Sequence, residues 1–369
     1  MDFIFKTLTV SVASDGAADT RWLAEFFGPA CLVRAEDGRA ARTVRLREDA
    51  FLHNAYTSAL ARTGSLAVGF VMDSGPVVLR VFRDGDVRVA HDPAFDTFYR
   101  IQTPHVVELI DHPGGTAGSP RRARGALMRV VREWVMNSAR GAGHLAIHAA
   151  GIARSGRAVL FAGAKQSGKT TLTSACLMVG EGWGLLANDR ILLGQSGGEW
   201  RCRGMASIVS IRPRSLALVR ALGDRLAIVT GGAFARGDES PLQAPLVDGR
   251  LSLSPAQFAS AIGTSLMGES ALHAIAFPSI EVDSTGILSR RVAPCEAACR
   301  LASSLFAAAA PRVQSELFEV PGEIDFTNEA SVRARITEIA ENTVCVEIGL
   351  GRSAYEPAIV AELLRSLGG

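Results

Sequence analysis

From Phe3 to about Gln102, apolar and polar positions alternate with the two-residue period of half-buried strands. The stretches are Phe3–Val12, Arg42–Leu46, Leu66–Met72, Val77–Phe82 and Val87–Ala90, with one helical stretch near Thr20–Phe27. Arg83-Asp84-Gly85-Asp86 separates two apolar runs and predicts a hairpin turn. A segment dense in turn formers, His112–Pro120, then reads as a linker. Beyond it the period changes to that of a helix: Leu127, Val130, Val131, Trp134 and Val135 share one face, with Arg129, Arg132 and Glu133 expected on a solvated one. This helix is expected to pack on the elements C-terminal to it.

Two short strands come next, Leu145–Ala153 and Arg157–Ala162, then a glycine-rich loop, a helix over Thr170–Val179 and a strand over Gly184–Leu193. Further strands are predicted at Ile208–Ile211, Ala274–Ile280 and Thr343–Ile348. Helices are predicted at Pro213–Leu222, Pro255–Met267, Cys295–Ala309 and Pro357–Leu367. Gly223–Leu253 lacks periodicity and reads as a mobile loop or lid. The resulting fold class is α/β, with a smaller N-terminal α+β domain over residues 1–118 and a larger domain over 119–369.

Composition narrows the function classes. The 369 residues carry 39 Lys+Arg against 37 Asp+Glu, a net charge of +2, too little for a protein that grips nucleic acid through its phosphates. Mean hydropathy is high at +0.19, yet no apolar run reaches the roughly 18 residues of a bilayer span. The N-terminal Met1–Lys6 lacks the order of a secretory signal, because Asp2 precedes the apolar residues and Lys6 interrupts them. Six cysteines are scattered without a CxxC pair, so reduced thiols and a cytoplasmic location are expected. Arginine supplies nearly every basic side chain. Of only three lysines, Lys165 and Lys169 sit together in the glycine-rich loop.

That loop, Gly163-Ala164-Lys165-Gln166-Ser167-Gly168-Lys169-Thr170-Thr171, satisfies G-x-x-x-x-G-K-[ST]. Glycines let the chain curl until successive backbone N–H groups face one phosphate group. Lys169 then reaches the β- and γ-phosphates, the Thr170 hydroxyl is placed for Mg²⁺, and the helix contributes the positive end of its dipole. The apolar strand Ala158–Phe161 before the loop and the apolar helix after it supply the strand–loop–helix this chemistry requires. ATP and Mg²⁺ are the expected cofactors. A carboxylate to hold the metal is available at Asp189, at the end of the next apolar run and only 20 positions beyond Lys169.

Four pieces in order, His148-Ala149-Ala150, the loop with Leu172, Leu186-Ala187-Asn188-Asp189 and Arg203-Gly204, resemble the HPr kinase/phosphorylase family and its HPr-kinase-related bacterial relatives. The resemblance covers roughly Leu145–Ile211. It implies the P-loop core shared with phosphoenolpyruvate carboxykinases, and transfer of the γ-phosphate of ATP to a hydroxyl on a protein serine, a peptide or a small molecule. It also implies catalytic places for His148, Lys169, Asp189 and Arg203, with Thr170 and Asp189 at the metal. Arg212 and Arg214 are further candidates to face phosphate or an anionic substrate.

Two departures accompany it. Asn188 stands where the family has the first acid of an Asp-Asp pair, its usual general base, and an amide cannot accept that proton. Arg201 stands where the family has a Glu two residues before its Arg-Gly. A nucleotide-binding regulator that transfers nothing is therefore the competing expectation, and Glu199 or Glu181 would rescue transfer if either pointed into the site. The N-terminal domain is expected to dock substrate or mediate oligomerisation, with neither nucleic acid nor membrane as partner.

Overall fold

The computed structural model describes the chain except for residues 6–7, 29–31, 35–39, 63–65, 73–74, 104, 114–119, 213–214, 216–218, 220–250, 282, 307–328 and 369. The linker around 114–119, most of the predicted helix Pro213–Leu222, most of the predicted lid, and Arg214 lie outside the described residues. The architecture is mixed α/β, in two units that divide between Ala142 and Gly143.

The first unit is built on a nine-stranded sheet among the described residues. Its strands are β1 (Asp2–Phe5), β2 (Leu8–Ser14), β3 (Leu32–Arg34), β4 (Arg42–Glu48), β5 (Leu66–Met72), β6 (Gly75–Asp84), β7 (Val87–Asp92), β8 (Thr97–Thr103) and β9 (Val106–Asp111). They lie in the order β3-β1-β2-β4-β9-β8-β7-β6-β5, with β2, β4 and β9 parallel. The predicted hairpin is present, with β6 and β7 antiparallel and Gly85 at φ +60° in the turn. Helices α1 (Ala17–Phe27), α2 (Ala50–Arg62) and α3 (Pro120–Gly141) accompany the sheet. The apolar stripe of α3 is buried as its spacing predicts, with Trp134, Leu127, Val130 and Val131 fully covered.

Two expectations about α3 are overturned. It packs on α1, β2, β4, β8 and β9, which precede it, and its other face is not solvated. Arg132 and Glu133 are buried, and Arg129 pairs with the buried carboxylate of Asp92 and lies over the Phe95 ring. A 22-residue helix laid on a sheet this wide is covered beyond its apolar stripe, so its charged residues are matched inside the unit.

Asp111, at the carboxyl end of β9, is 7% exposed, and desolvation pushes its carboxyl up to about 6, despite the His112 N–H and the nearby His53. A raised acid pKa means the folded state holds the proton more tightly, so stability falls as pH rises from about 4 to about 6. Asp111→Asn, which keeps an oxygen to accept the His112 N–H, is expected to stabilise the protein at pH 7 by about 2 kcal/mol and to have no such advantage below pH 4. Urea unfolding at the two pH values measures both.

The second unit holds the glycine-rich loop. Its strands are β10 (Leu145–Arg154), β11 (Arg157–Ala162), β12 (Gly184–Ala187), β13 (Arg190–Ser196), β14 (Glu199–Met205), β15 (Val209–Ile211), β16 (Leu251–Leu253), β17 (Glu269–Ile280), β18 (Ile287–Arg291) and β19 (Val344–Leu350). Its helices are α4 (Lys169–Val179), α5 (Pro255–Ile262), α6 (Pro294–Ala302), α7 (Glu329–Asn342) and α8 (Pro357–Ser366). Neighbour pairings run β11-β10-β13-β14-β17 and return to β11, so the sheet curls on itself. Within it β11, β17 and β19 are parallel.

Two cores form on the two faces of this sheet. Val159 and Phe161 of β11 join α4, α5 and α8 in one, and Ala158, Leu160 and Ala162 join α6 and α7 in the other. Strands buried on both faces are apolar throughout, which is why β10 and β11 read as nearly unbroken apolar runs.

Candidate functional site

Parallel strands leave their carboxyl ends facing one way, and ligands of open α/β sheets bind outside those ends. The loop leaves the carboxyl end of β11 beside the corresponding ends of β17 and β19. It is folded by residues with positive φ: Gly163 at +153°, Gln166 at +73° and Gly168 at +95°. Gly168 is needed twice over, since a Cβ there would lie 2.7 Å from Leu350 Cδ1. As the N-cap of α4 it offers no side chain to the first amides of the helix, which leaves those donors directed at the loop's mouth.

Lys169 is buried, and its Nζ donates to the carbonyls of Gly163 at 2.7 Å and Ala164 at 2.8 Å. Burial lowers its ammonium pKa, and the charge of Asp189 opposes that shift. Thr170 is half-buried beside it, while the Thr171 hydroxyl is taken by Ser215 Oγ at 2.8 Å. Of the two threonines, Thr170 is therefore the one with a hydroxyl for a metal. At the loop's apex the Gln166 carbonyl oxygen, in the amide orientation that satisfies both partners, accepts from Nη1 and Nη2 of Arg212 at 3.2 Å. Ala164 and Lys165 are exposed, and Ser167 is half-buried.

The run expected to form one strand over Gly184–Leu193 is two strands, β12 and β13, separated by a bend at Asn188-Asp189. Both pair with β10, and Gly151↔Ala187 and His148↔Arg190 belong to one continuous register. Asp189 therefore comes opposite Ala149, which pairs on its other edge with Ala162, the last residue before the loop. Two interstrand steps, roughly 10 Å between Cα atoms, separate Asp189 from the start of the loop.

His148 Nε2 lies 2.9 Å from Asp189 Oδ1, and Arg190 Nη1 lies 3.5 Å from Oδ2. Burial pushes the Arg190 guanidinium down to about 9; it also donates to Ser207 Oγ at 2.8 Å. His148 is held at the backbone by Ser304, whose carbonyl accepts its N–H at 2.6 Å, and its ring lies 5.3 Å from that of Phe306. The predicted helix Cys295–Ala309 stops at Ala302 because Ser304–Phe306 turns to bond the edge of β10 that β11 has left open.

The structure thus gathers His148, Lys169, Thr170 and Asp189 around the loop. Arg203 is placed differently. It donates to Glu269 Oε2 at 3.1 Å, and Arg201 takes the other oxygen at 3.0 Å. Glu269 begins β17, eight residues and about 26 Å of strand before Phe277 at the loop's end of the sheet. Its neighbour Gly204 carries the constraint in that motif, since a Cβ there would come 1.8 Å from the Leu186 carbonyl oxygen.

Neither candidate replacement acid enters the site. Glu199 is exposed at the far end of the β13–β14 hairpin, ion-paired with Arg201, and Glu181 is exposed beyond the carboxyl end of α4. Sequence reasoning missed Phe277–Ile280, Arg300 and Ser303, which line a cleft against the loop. No spacing signals them, because parallel pairing brings β17 beside β11 across more than a hundred residues.

The oxygen donors present, the Thr170 hydroxyl and the Asp189 carboxylate, fit Mg²⁺, which takes one or two carboxylates and completes its shell with water and phosphate. Among the described residues no cluster of three His, Cys, Asp or Glu forms a self-contained metal cage. Among them, too, no helix is long and apolar enough to cross a membrane. Comparison with models of known protein families and with curated proteins returns no match.

Proposed function

We propose that this chain is an ATP- and Mg²⁺-dependent kinase with a P-loop core of the HPr kinase and phosphoenolpyruvate carboxykinase type. Its reaction transfers the γ-phosphate to a hydroxyl acceptor in the cytoplasm. The observation that carries this reading is the His148–Asp189 pair standing beside a curled, lysine-bearing loop. In this reading Lys169 and the loop amides from Gly163 to Thr171 hold the triphosphate. Thr170 and Asp189 hold the metal, which when bound draws charge from the β- and γ-phosphates.

The acceptor oxygen attacks phosphorus in line, its new O–P bond replacing the bond to the β-phosphate oxygen, and ADP leaves with that electron pair. The acceptor's proton passes to the Asp189–His148 pair, whose Oδ1 and Nε2 lie 2.9 Å apart. Arg212, already at Gln166, is the arginine positioned to meet phosphate charge, in place of Arg203.

A second reading, a nucleotide-binding regulator, is favoured by Asn188 and by the remoteness of Glu181 and Glu199. The two readings part on one assay. With γ-labelled ATP and a panel of hydroxyl acceptors, the wild-type protein is expected to transfer label. Asp189→Asn is expected to lose about 10²- to 10³-fold in rate. Transfer undiminished in Asp189→Asn overturns the assigned role, and ATP binding without transfer to any acceptor selects the regulator.

A further inference from the structure

The lysine gives the phosphate chain a direction. A P-loop lysine reaches the β- and γ-phosphates, and here Lys169 Nζ rests on the carbonyls of Gly163 and Ala164. The γ end of a bound triphosphate therefore lies at Gly163–Ala164, and the nucleoside leaves past the first turn of α4. On the Gly163–Ala164 side a cleft of about 410 Å³ opens between the outer wall of the loop, Phe277–Ile280 of β17, and the last turn of α6. That volume lies within the range of about 300 to 1,000 Å³ typical of small-molecule pockets.

The cleft's lining is apolar at Phe277, Pro278 and Ile280, and polar at Ser279 and Ser303. Its charged groups are cations, Lys165 and Arg300, and no carboxylate lines it among the described residues. Arg300 is held in place: its Nη2 is shared by Glu296 at 2.6 Å and Glu347 at 2.8 Å, and its guanidinium carbon lies 5.5 Å from the Phe277 ring. Among the described residues its Nη1 and Nε donate to no protein oxygen, which leaves them for a ligand. Ser303 is followed at once by Ser304, whose carbonyl accepts the His148 N–H at 2.6 Å, so the cleft wall continues along the chain into the segment that fixes His148.

We propose that this cleft seats the phosphate acceptor, and that the acceptor is a small hydroxyl compound bearing a carboxylate or phosphate group. The proposal rests on the kinase reading above and adds the substrate's chemical class. A serine on a folded protein is the alternative it excludes.

The test uses full-length protein whose Mg·ATP binding has first been measured by calorimetry. Label transfer from γ-labelled ATP is then followed to D-glycerate, glycerol 3-phosphate, neutral glycerol and a seryl peptide. Transfer to glycerate or to glycerol 3-phosphate is expected, and which of the two is used tells carboxylate from phosphate. Arg300→Gln is expected to raise KM for that anion about tenfold or more, with a smaller change in kcat and Mg·ATP affinity within about twofold. Ser303→Phe, at an exposed position, is expected to block transfer by filling the cleft while ATP still binds.

ATP binding with no transfer to either anion overturns the proposal. So does equal use of glycerol, or transfer to the seryl peptide that neither variant alters. Absence of ATP binding instead removes the kinase reading on which it stands.

Discussion

Lys169→Ala is expected to lower phosphoryl transfer by about 10³-fold while leaving the fold intact, because the ammonium is aimed at the β- and γ-phosphates, holding them in the bound nucleotide and meeting the charge that builds on them in the transition state. In the free protein Lys169 is an expensive residue. It is buried, desolvation lowers its pKa, and its two hydrogen bonds go to loop carbonyls at Gly163 and Ala164. The loop is partly exposed at those residues, so water can replace the ammonium there once it is removed. Thermal unfolding of the variant without nucleotide is therefore expected to fall within about 1 kcal/mol of wild type. A variant that lost activity by unfolding would point to a structural lysine. One that kept its transfer rate would remove Lys169 from the mechanism.

Gly204→Ala is expected to be the most destabilising single-methyl change at the site, by about 3 kcal/mol or more. The added Cβ would meet the Leu186 carbonyl oxygen at 1.8 Å, the Leu186 carbonyl carbon at 2.7 Å and the Ala187 Cβ at 3.2 Å. Two of these three are backbone atoms of β12, which no rotamer change can move. The strand must shift, and Asn188-Asp189 follows it directly. Protein that still folds is therefore expected to lose transfer as well, since the distance from Asp189 to the loop is set by β12. Urea unfolding gives the stability and labelled ATP the activity; wild-type values in both would mean that β12 has room to move.

This pair of outcomes also explains an apparent motif. Arg203-Gly204 is legible in the sequence as a unit, but its two residues serve different ends. The arginine forms a fork with Arg201 on Glu269, and the glycine lets two backbones cross.

The loop and the strands and helix around it were legible because their signals are local: β11 and α4 are apolar, and glycine spacing marks the turn. The alternation along β10 was legible too: Leu145, Ile147 and Ala149 pack in the core with α6 and α7, and Ala150 in the core with α4. The break between β12 and β13 was not legible, because Gly184–Leu193 is apolar on both sides of Asn188-Asp189 and each half pairs with β10. Its polar bend is where the candidate carboxylate projects. The end of α6 was hidden for a related reason, since the alanine-rich pattern continues after Ala302 while the backbone finds partners on β10. In α3, periodicity found the buried stripe and missed the buried Arg132 and Glu133, whose burial depends on the sheet beneath them.

Calorimetric titration of Mg·ATP into the wild-type chain and into Lys169→Ala is the most direct check that this loop binds phosphate. A single saturable event with one nucleotide per wild-type chain, weakened about 10²-fold or more in the variant, is the predicted result. No heat with the wild-type chain, or identical binding by both proteins, would contradict it.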